Sequence, residues 1–292
     1  MERTVQTADG RTLAVSEGGD PDGFPVLVHD GSPGSRHQYG PNLADAARQG
    51  LRLISYDRPG YGGSTPSPGR NAAACVGDVR AICAALGIGR LAMWGISGGG
   101  PHVLACAALL GDQVVAAASL ASPAPYDAAG LDWFAGMGEA NVEDFKLYQA
   151  DEAAARVKLE KERMEALAAG PQEVAETMRS LLSPVDAAVV TGELAEFLSA
   201  SAHAGLAPGP EGWWEDSVAL ARPWGFDLGQ VSVPTLIVHG RQDRFVPFAH
   251  GQWIAGQVPG AQTWFLDNDG HLTLLANRLP EVHAWLAGYR EA

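Results

Sequence analysis

Trp94-Gly95-Ile96-Ser97-Gly98-Gly99-Gly100 decides how this chain is read. Gly95, Ser97 and Gly99 form the pattern Gly-x-Ser-x-Gly. The residues before it, Leu91-Ala92-Met93-Trp94, are an apolar run short enough for a buried strand. The residues after it, from Gly100 to Leu110, read as a helix with Pro101 in its first turn. A serine on so sharp a strand-to-helix turn is forced into a strained backbone conformation. Glycines two residues to either side leave room, because a Cβ there would collide with neighbouring backbone. The hydroxyl is then exposed above the carboxyl edge of a sheet, with the positive end of a helix beneath it. A Gly-rich turn with Ser97 as a helix cap is the bland alternative. The strand before and the helix after favour the nucleophile.

Totals bound what such a serine serves. The chain has 292 residues, which fits one large α/β domain carrying an insertion. Hydrophobic residues make up 46%, enough for a sizeable core. A formal net charge of -14 repels phosphate backbones and anionic lipid, so neither nucleic acid nor membrane is expected as a partner. The three cysteines, Cys75, Cys83 and Cys106, form no C-x-x-C pair and read as small buried residues in a reducing compartment. The N-terminal residues lack the basic-then-apolar form of a signal peptide, and no run of about 20 apolar residues occurs. The expectation is a soluble, cytoplasmic protein acting on a small molecule.

Outward from the elbow, the chain alternates strand and helix. Residues 3–17 form a hairpin around Asp9-Gly10. Strands follow at Pro25–His29 and Leu51–Tyr56, with a helix from about Arg36 to Arg48 between them. Val79, Ile82, Cys83 and Leu86 share one face of a helix from Ala72 to Leu86. Another strand runs from Val114 to Leu120. These intervals mean parallel βαβ units, with ligands bound beyond the carboxyl ends of the strands. From Ser122 to Trp224 the strand rhythm stops and helical faces take over: Val174, Met178, Leu181 and Leu182, then Val190, Leu194, Phe197 and Leu198. Residues 122–224 are therefore expected as a helical cap over the rim, with 1–121 and 225–292 as the core. Strands resume at Val233–Gly240 and Thr263–Leu266, and the chain ends in a helix from about Pro280 to Tyr289.

A serine hydroxyl needs a base to remove its proton, and the base needs an acid to fix its tautomer. Of eight histidines, His271 lies in Asn268-Asp269-Gly270-His271-Leu272, just past the last strand, where it reaches the rim. His29 and His239 end strands and approach the rim too; His102 is too close in sequence to Ser97 for easy alignment. For the acid, Asp243 follows the strand ending near Val238. Asp57 reads as a turn residue bonding backbone amides, and Asp267 and Asp269 as exposed or as shaping the histidine turn. The order is Ser97, Asp243, His271, one of several orders in which such triads occur.

These residues resemble the α/β-hydrolase superfamily. Gly95-Ile96-Ser97-Gly98-Gly99 matches its nucleophile elbow, Gly240-Arg241-Gln242-Asp243 its acid loop and Gly270-His271 its histidine loop. Asp57-Arg58-Pro59-Gly60-Tyr61-Gly62-Gly63-Ser64 matches its Asp-x-x-Gly-x-Gly-x-Ser segment. The resemblance covers the chain outside residues 122–224. It implies the α/β-hydrolase fold, a mostly parallel eight-stranded sheet with helices on both faces, and hydrolysis through an acyl-enzyme with no cofactor and no metal. It also implies an oxyanion hole from the backbone amides of Gly98 and Ser32. Here Asp30-Gly31-Ser32-Pro33-Gly34 stands for the usual His-Gly-x-Pro-Gly, so a carboxylate occupies the place of a histidine.

The leading reading is a serine esterase acting on a small, largely apolar ester, lactone or thioester. The same triad also serves carbon–carbon bond hydrolysis and cofactor-free haloperoxidase chemistry. A different class is a ligand-binding protein that only borrows the fold. Trp133, Phe134, Met137, Phe145, Tyr148, Trp213, Trp214 and Trp224 are the large cap side chains expected to line the pocket or to fasten the cap. Arg222 is the one cap cation placed to favour an anionic substrate. Oligomeric state is not legible.

Overall fold

The computed structural model describes residues 1–291. Strands β1 (Glu2–Gln6) and β2 (Thr12–Gly19) form an antiparallel hairpin, with Gln6 opposite Thr12 and Gly10 at φ 85° in the turn. Then come β3 (Phe24–His29), α1 (Gly40–Arg48) and β4 (Leu51–Tyr56). A 3-10 turn at Ala72–Ala74 leads into α2 (Cys75–Leu86), followed by β5 (Leu91–Ile96), α3 (Gly100–Leu109) and β6 (Val114–Leu120). Six helices intervene before the next strand: α4 (Glu139–Ala150), α5 (Glu152–Ala168), α6 (Val174–Thr177), α7 (Pro184–Val189), α8 (Gly192–Leu206) and α9 (Glu211–Leu220). The chain closes with β7 (Thr235–Gly240), α10 (Phe248–Gln257), β8 (Gln262–Leu266), α11 (Leu272–Asn277) and α12 (Leu279–Ala287).

The eight strands form one sheet in the order β1-β2-β4-β3-β5-β6-β7-β8. β2 runs antiparallel to both of its neighbours, and the six strands from β4 to β8 are mutually parallel. Successive side chains of a strand point to opposite faces, and both faces here are covered, so the central strands read as unbroken apolar runs. Leu27, Ile54 and Met93 join Val79, Ile82, Leu104 and Ile254 on one face. Val26, Leu53 and Trp94 join Ala46, Val282 and Leu286 on the other.

Two elements depart from the sequence reading. Helix α1 starts at Gly40, not near Arg36, with Pro41 in its first turn. The Arg36 amide donates instead to Asp57 Oδ1 at 2.6 Å, which holds the preceding residues across the rim. The helical face expected from Val174 to Leu182 shrinks to the single turn α6. Pro184 disfavours a helical Ser183, which sits extended at ψ 164° and caps α7. The apolar residues still converge: Val174, Met178 and Leu182 pack with Val190 and Leu272. They thereby fasten this stretch to the segment that follows His271.

Candidate active site

Strand β5 ends extended at Ile96, and Ser97 then turns to φ 54° before α3 begins. That left-handed backbone costs a non-glycine residue about 1–3 kcal/mol. Close packing enforces it: a methyl group on Gly99 would run into the carbonyl oxygen of His29. On Gly98 it would lie 2.6 Å from Ser32 Oγ and 3.4 Å from the Ser32 amide nitrogen. The loop Asp30–Pro33 is thus pressed against the elbow, and the amides of Ser32 and Gly98 are neighbours. Ser32's amide donates to no protein group among the described residues.

His271 Nδ1 lies 2.7 Å from Asp243 Oδ2, and both side chains are buried. Asp243 Oδ1 accepts the amides of Phe245 and Val246, each at 2.9 Å, which pins the carboxylate in its loop. Burial alone would raise the Asp243 pKa, but the charge of His271 and hydrogen bonds from His239 and His271 bring it down to about 2. Burial likewise opposes charge on His271, yet Asp243, and beyond it Asp186, raise its pKa above the ordinary histidine value. The Phe245 ring stacks on His271 at 4.6 Å and 19°, fixing the imidazole plane.

The remaining candidates fall outside this arrangement. His239 Nε2 bonds the Val246 carbonyl at 2.9 Å and sits 3.5 Å from Asp243, supporting the acid from behind. His102 directs Nδ1 to the Ala72 carbonyl at 3.1 Å, away from Ser97. Asp57 accepts the amides of Arg36 and Gly63, the turn role expected of it. Asp267 is exposed on Arg241, and Asp269 is buried against Arg278. Asp30 Oδ1 accepts its neighbour's amide, Gly31 N, at 2.8 Å. Burial pushes its pKa up to about 6 despite that bond and the charge of Arg58.

Ser97, His271, Ser32 and Gly98 all line one cavity of about 420 Å³ beyond the carboxyl ends of the strands. Its far wall comes from helices α4, α5, α8 and α9 and the stretches beside them. Trp133, Met137, Phe145, Tyr148 and Trp213 face it. Phe134, Trp214 and Trp224 do not. Trp214 packs on Leu159 and Val218 under the Arg156 guanidinium, and Trp224 stacks on Phe226. Arg222 is exposed and outside the wall. Asp144, Glu162 and Glu165 also line it, unanticipated from the sequence. Lys158 pairs with Asp144 and with Glu162, and burial raises both carboxyl pKa values.

Two further carboxylates escaped the sequence reading because nothing local marks them. Asp186, fully buried at the start of α7, accepts the amides of His271, Leu272 and Thr273 at 3.0, 2.7 and 3.1 Å. It caps α11 from another part of the chain and so holds the histidine loop. Asp216 of α9, also buried, pairs with Arg58 at 2.5 Å and Arg70 at 2.6 Å. Among the described residues the metal-ligating side chains that cluster are His29, Cys75 and Cys106, with donor atoms within 4.8 Å of one another. All three are sealed in the core and none lines the cavity.

The model of the alpha/beta hydrolase fold family matches residues 25–277. The chain belongs to that family. This α/β hydrolase is 34% identical over 123 residues to a non-heme chloroperoxidase of Streptomyces lividans, a match covering 42% of this chain and 45% of that protein. The chain thus spans less than half the length of that relative. To a non-heme haloperoxidase of Rhodococcus erythropolis it is 27% identical over 262 residues, 84% of each chain. A thermophilic esterase from Thermogutta terrifontis has a similar fold, with a TM-score of 0.72, 23% identity and 99% of both chains covered.

Proposed function

We propose that this α/β hydrolase is a serine esterase that cleaves a small, largely apolar ester through an acyl-enzyme on Ser97. The observation that carries the reading is the shared cavity: a strained Ser97, the Asp243-supported His271 and the adjoining amides of Ser32 and Gly98 all meet there. His271, unprotonated at Nε2, takes the Ser97 proton as Oγ attacks the ester carbonyl. The tetrahedral oxyanion is held by the Ser32 and Gly98 amides, each contributing about 3 kcal/mol. His271 passes the proton to the leaving alcohol, and water, with His271 again as base, releases the acid. Asp243 holds the proton on Nδ1 throughout and stays ionised.

Helices α4–α9 act in this reading as a cap that sets specificity. Trp133, Phe145, Tyr148 and Trp213 supply apolar contact, while Asp144, Glu162 and Glu165 disfavour an anionic substrate. Cofactor-free haloperoxidase chemistry is the second reading, favoured by likeness to the two peroxidases. There, hydrogen peroxide replaces water in opening the acyl-enzyme and a peroxyacid leaves. The test is turnover of neutral p-nitrophenyl esters from two to eight acyl carbons, with and without peroxide and a halide. Turnover by the wild type, absent in a folded Ser97→Ala variant, supports the esterase. Equal turnover in both variants contradicts it, and a binding protein gives none in either.

A further inference from the structure

The loop that carries Ser32 is gripped from beneath by one side chain. Arg58, two residues past the end of β4 and 5% exposed, donates Nη1 to the Asp30 carbonyl at 2.6 Å. Its Nη2 donates to the Gly31 carbonyl at 2.7 Å and to Ser32 Oγ at 2.9 Å. The Gly31 carbonyl belongs to the same peptide unit as the Ser32 N–H. In a trans peptide the two point in opposite directions. Holding the carbonyl against Arg58 therefore turns the N–H away from that side chain, on a residue that lies beside Gly98 and lines the cavity. The cation also polarises that peptide and makes its N–H a stronger donor.

Arg58 does not hold itself in place. Asp216 receives its Nε at 3.0 Å and Nη2 at 2.5 Å, and accepts Arg70, the Tyr61 hydroxyl at 3.0 Å and the Ser32 hydroxyl. Burial would raise the Asp216 pKa, but Arg58 and Arg70 keep it well below the usual carboxylate range. Arg58 and Arg70 both pair with the one buried Asp216 behind the loop.

We propose that Arg58 is a positioning residue for the oxyanion hole and that Asp216, supplied by α9, sets its orientation. The inference rests on the esterase reading and extends it. The helical segment then builds part of the catalytic apparatus as well as the pocket wall. A lysine does not reproduce Arg58, because three donors on one nitrogen cannot match Nε, Nη1 and Nη2 spread over two carbonyls, the Ser32 hydroxyl and Asp216.

The experiment compares wild type, Arg58→Lys and Asp216→Asn on a p-nitrophenyl ester. Inhibition is measured with an aryl trifluoromethyl ketone, which forms an oxyanion on the serine, and with the matching ether, which cannot. Each variant is expected to lose kcat by ten- to a hundredfold with KM within threefold. Trifluoromethyl ketone affinity should fall in step with kcat and ether affinity should stay unchanged. Asp216→Asn leaves two buried guanidinium groups less compensated; should it fail to fold, Arg58→Lys, which keeps the charge pair, decides. Folded variants that keep kcat within twofold, or lose ketone and ether affinity equally, overturn the proposal. A wild type with neither turnover nor ketone inhibition overturns the esterase reading itself.

Discussion

His271 and Asp243 come from loops 28 residues apart in sequence, yet meet at 2.7 Å with their side chains sealed from solvent. The carboxylate has its other oxygen committed to two backbone amides. It therefore presents a fixed acceptor that selects the tautomer with the proton on Nδ1. Asp243→Asn removes that selection, since an amide can present a donor instead. The expected loss is about 10⁴-fold in kcat with the fold retained. Asp267→Asn, on an exposed carboxylate paired with Arg241, should leave kcat within a fewfold of wild type. Steady-state kinetics with circular dichroism check both; the reverse ranking reassigns the acid.

Asp186 predicts a displacement along the pH axis. It adds to the charge that raises the His271 pKa, and the base works only unprotonated. Activity should thus fall as pH drops through a value above 6.5 in the wild type. Asp186→Asn should move that acid limb to lower pH. A histidine whose pKa is raised on folding contributes stability below its unfolded value, lost as pH rises through the folded one. The Tm deficit of Asp186→Asn should therefore be larger at pH 5 than at pH 9. Profiles of kcat/KM and melting curves at the two pH values measure this; an unmoved limb contradicts it.

Asp30 gives a stability prediction of opposite sign. Its carboxyl, pushed up to about 6, penalises folding once it is ionised. The penalty is absent below pH 4, grows between pH 4 and 6 and amounts to at most about 3 kcal/mol above. Asp30→Asn keeps an oxygen for the Gly31 amide and removes the charge. Urea unfolding should show the variant more stable than wild type at pH 8 and no more stable at pH 4. Catalysis should change far less than in Asp243→Asn. A variant less stable at pH 8 refutes the burial argument.

The proposed order Ser97, Asp243, His271 came from local patterns, Ser97 between glycines, Asp243 after a β-strand run and His271 after Gly270, and folding brings His271 and Asp243 into contact. The alternation of strand and helix carried the sheet in the same way, down to the Asp9-Gly10 turn. What escaped notice is non-local. Asp186 and Asp216 look like ordinary helix carboxylates until folding carries them to loops 85 and 158 residues away. Arg58 was visible in its segment, but its partners were not. The spacing from Val174 to Leu182 is helical, but only Val174–Thr177 forms a helix there, and Ser183 before Pro184 is extended. The aromatic residues were legible as a group; which of them face the cavity is decided by packing alone.

In the proposed reading, specificity follows from that packing. Trp213 faces the cavity while Trp214, its neighbour, packs against Leu159 and Arg156. Trp213→Ala should reorder the ranking of neutral acyl esters with little loss of Tm. Trp214→Ala should cost about 3–5 kcal/mol of stability and leave the ranking alone. With Asp144, Glu162 and Glu165 in the wall, kcat/KM for an ester bearing a carboxylate should lie well below that of its neutral match. Preference for the anionic series would contradict this reading of the wall, since Arg222 is exposed and does not line it.

Covalent attack by Ser97 can be read out by intact-mass measurement after treatment with a p-nitrophenyl alkylphosphonate. One adduct per chain is expected, mapped by peptide analysis to Ser97, formed in step with the loss of ester turnover and absent in a folded Ser97→Ala variant. Inactivation with the adduct on another residue, or full turnover by protein that carries the adduct on Ser97, would contradict it.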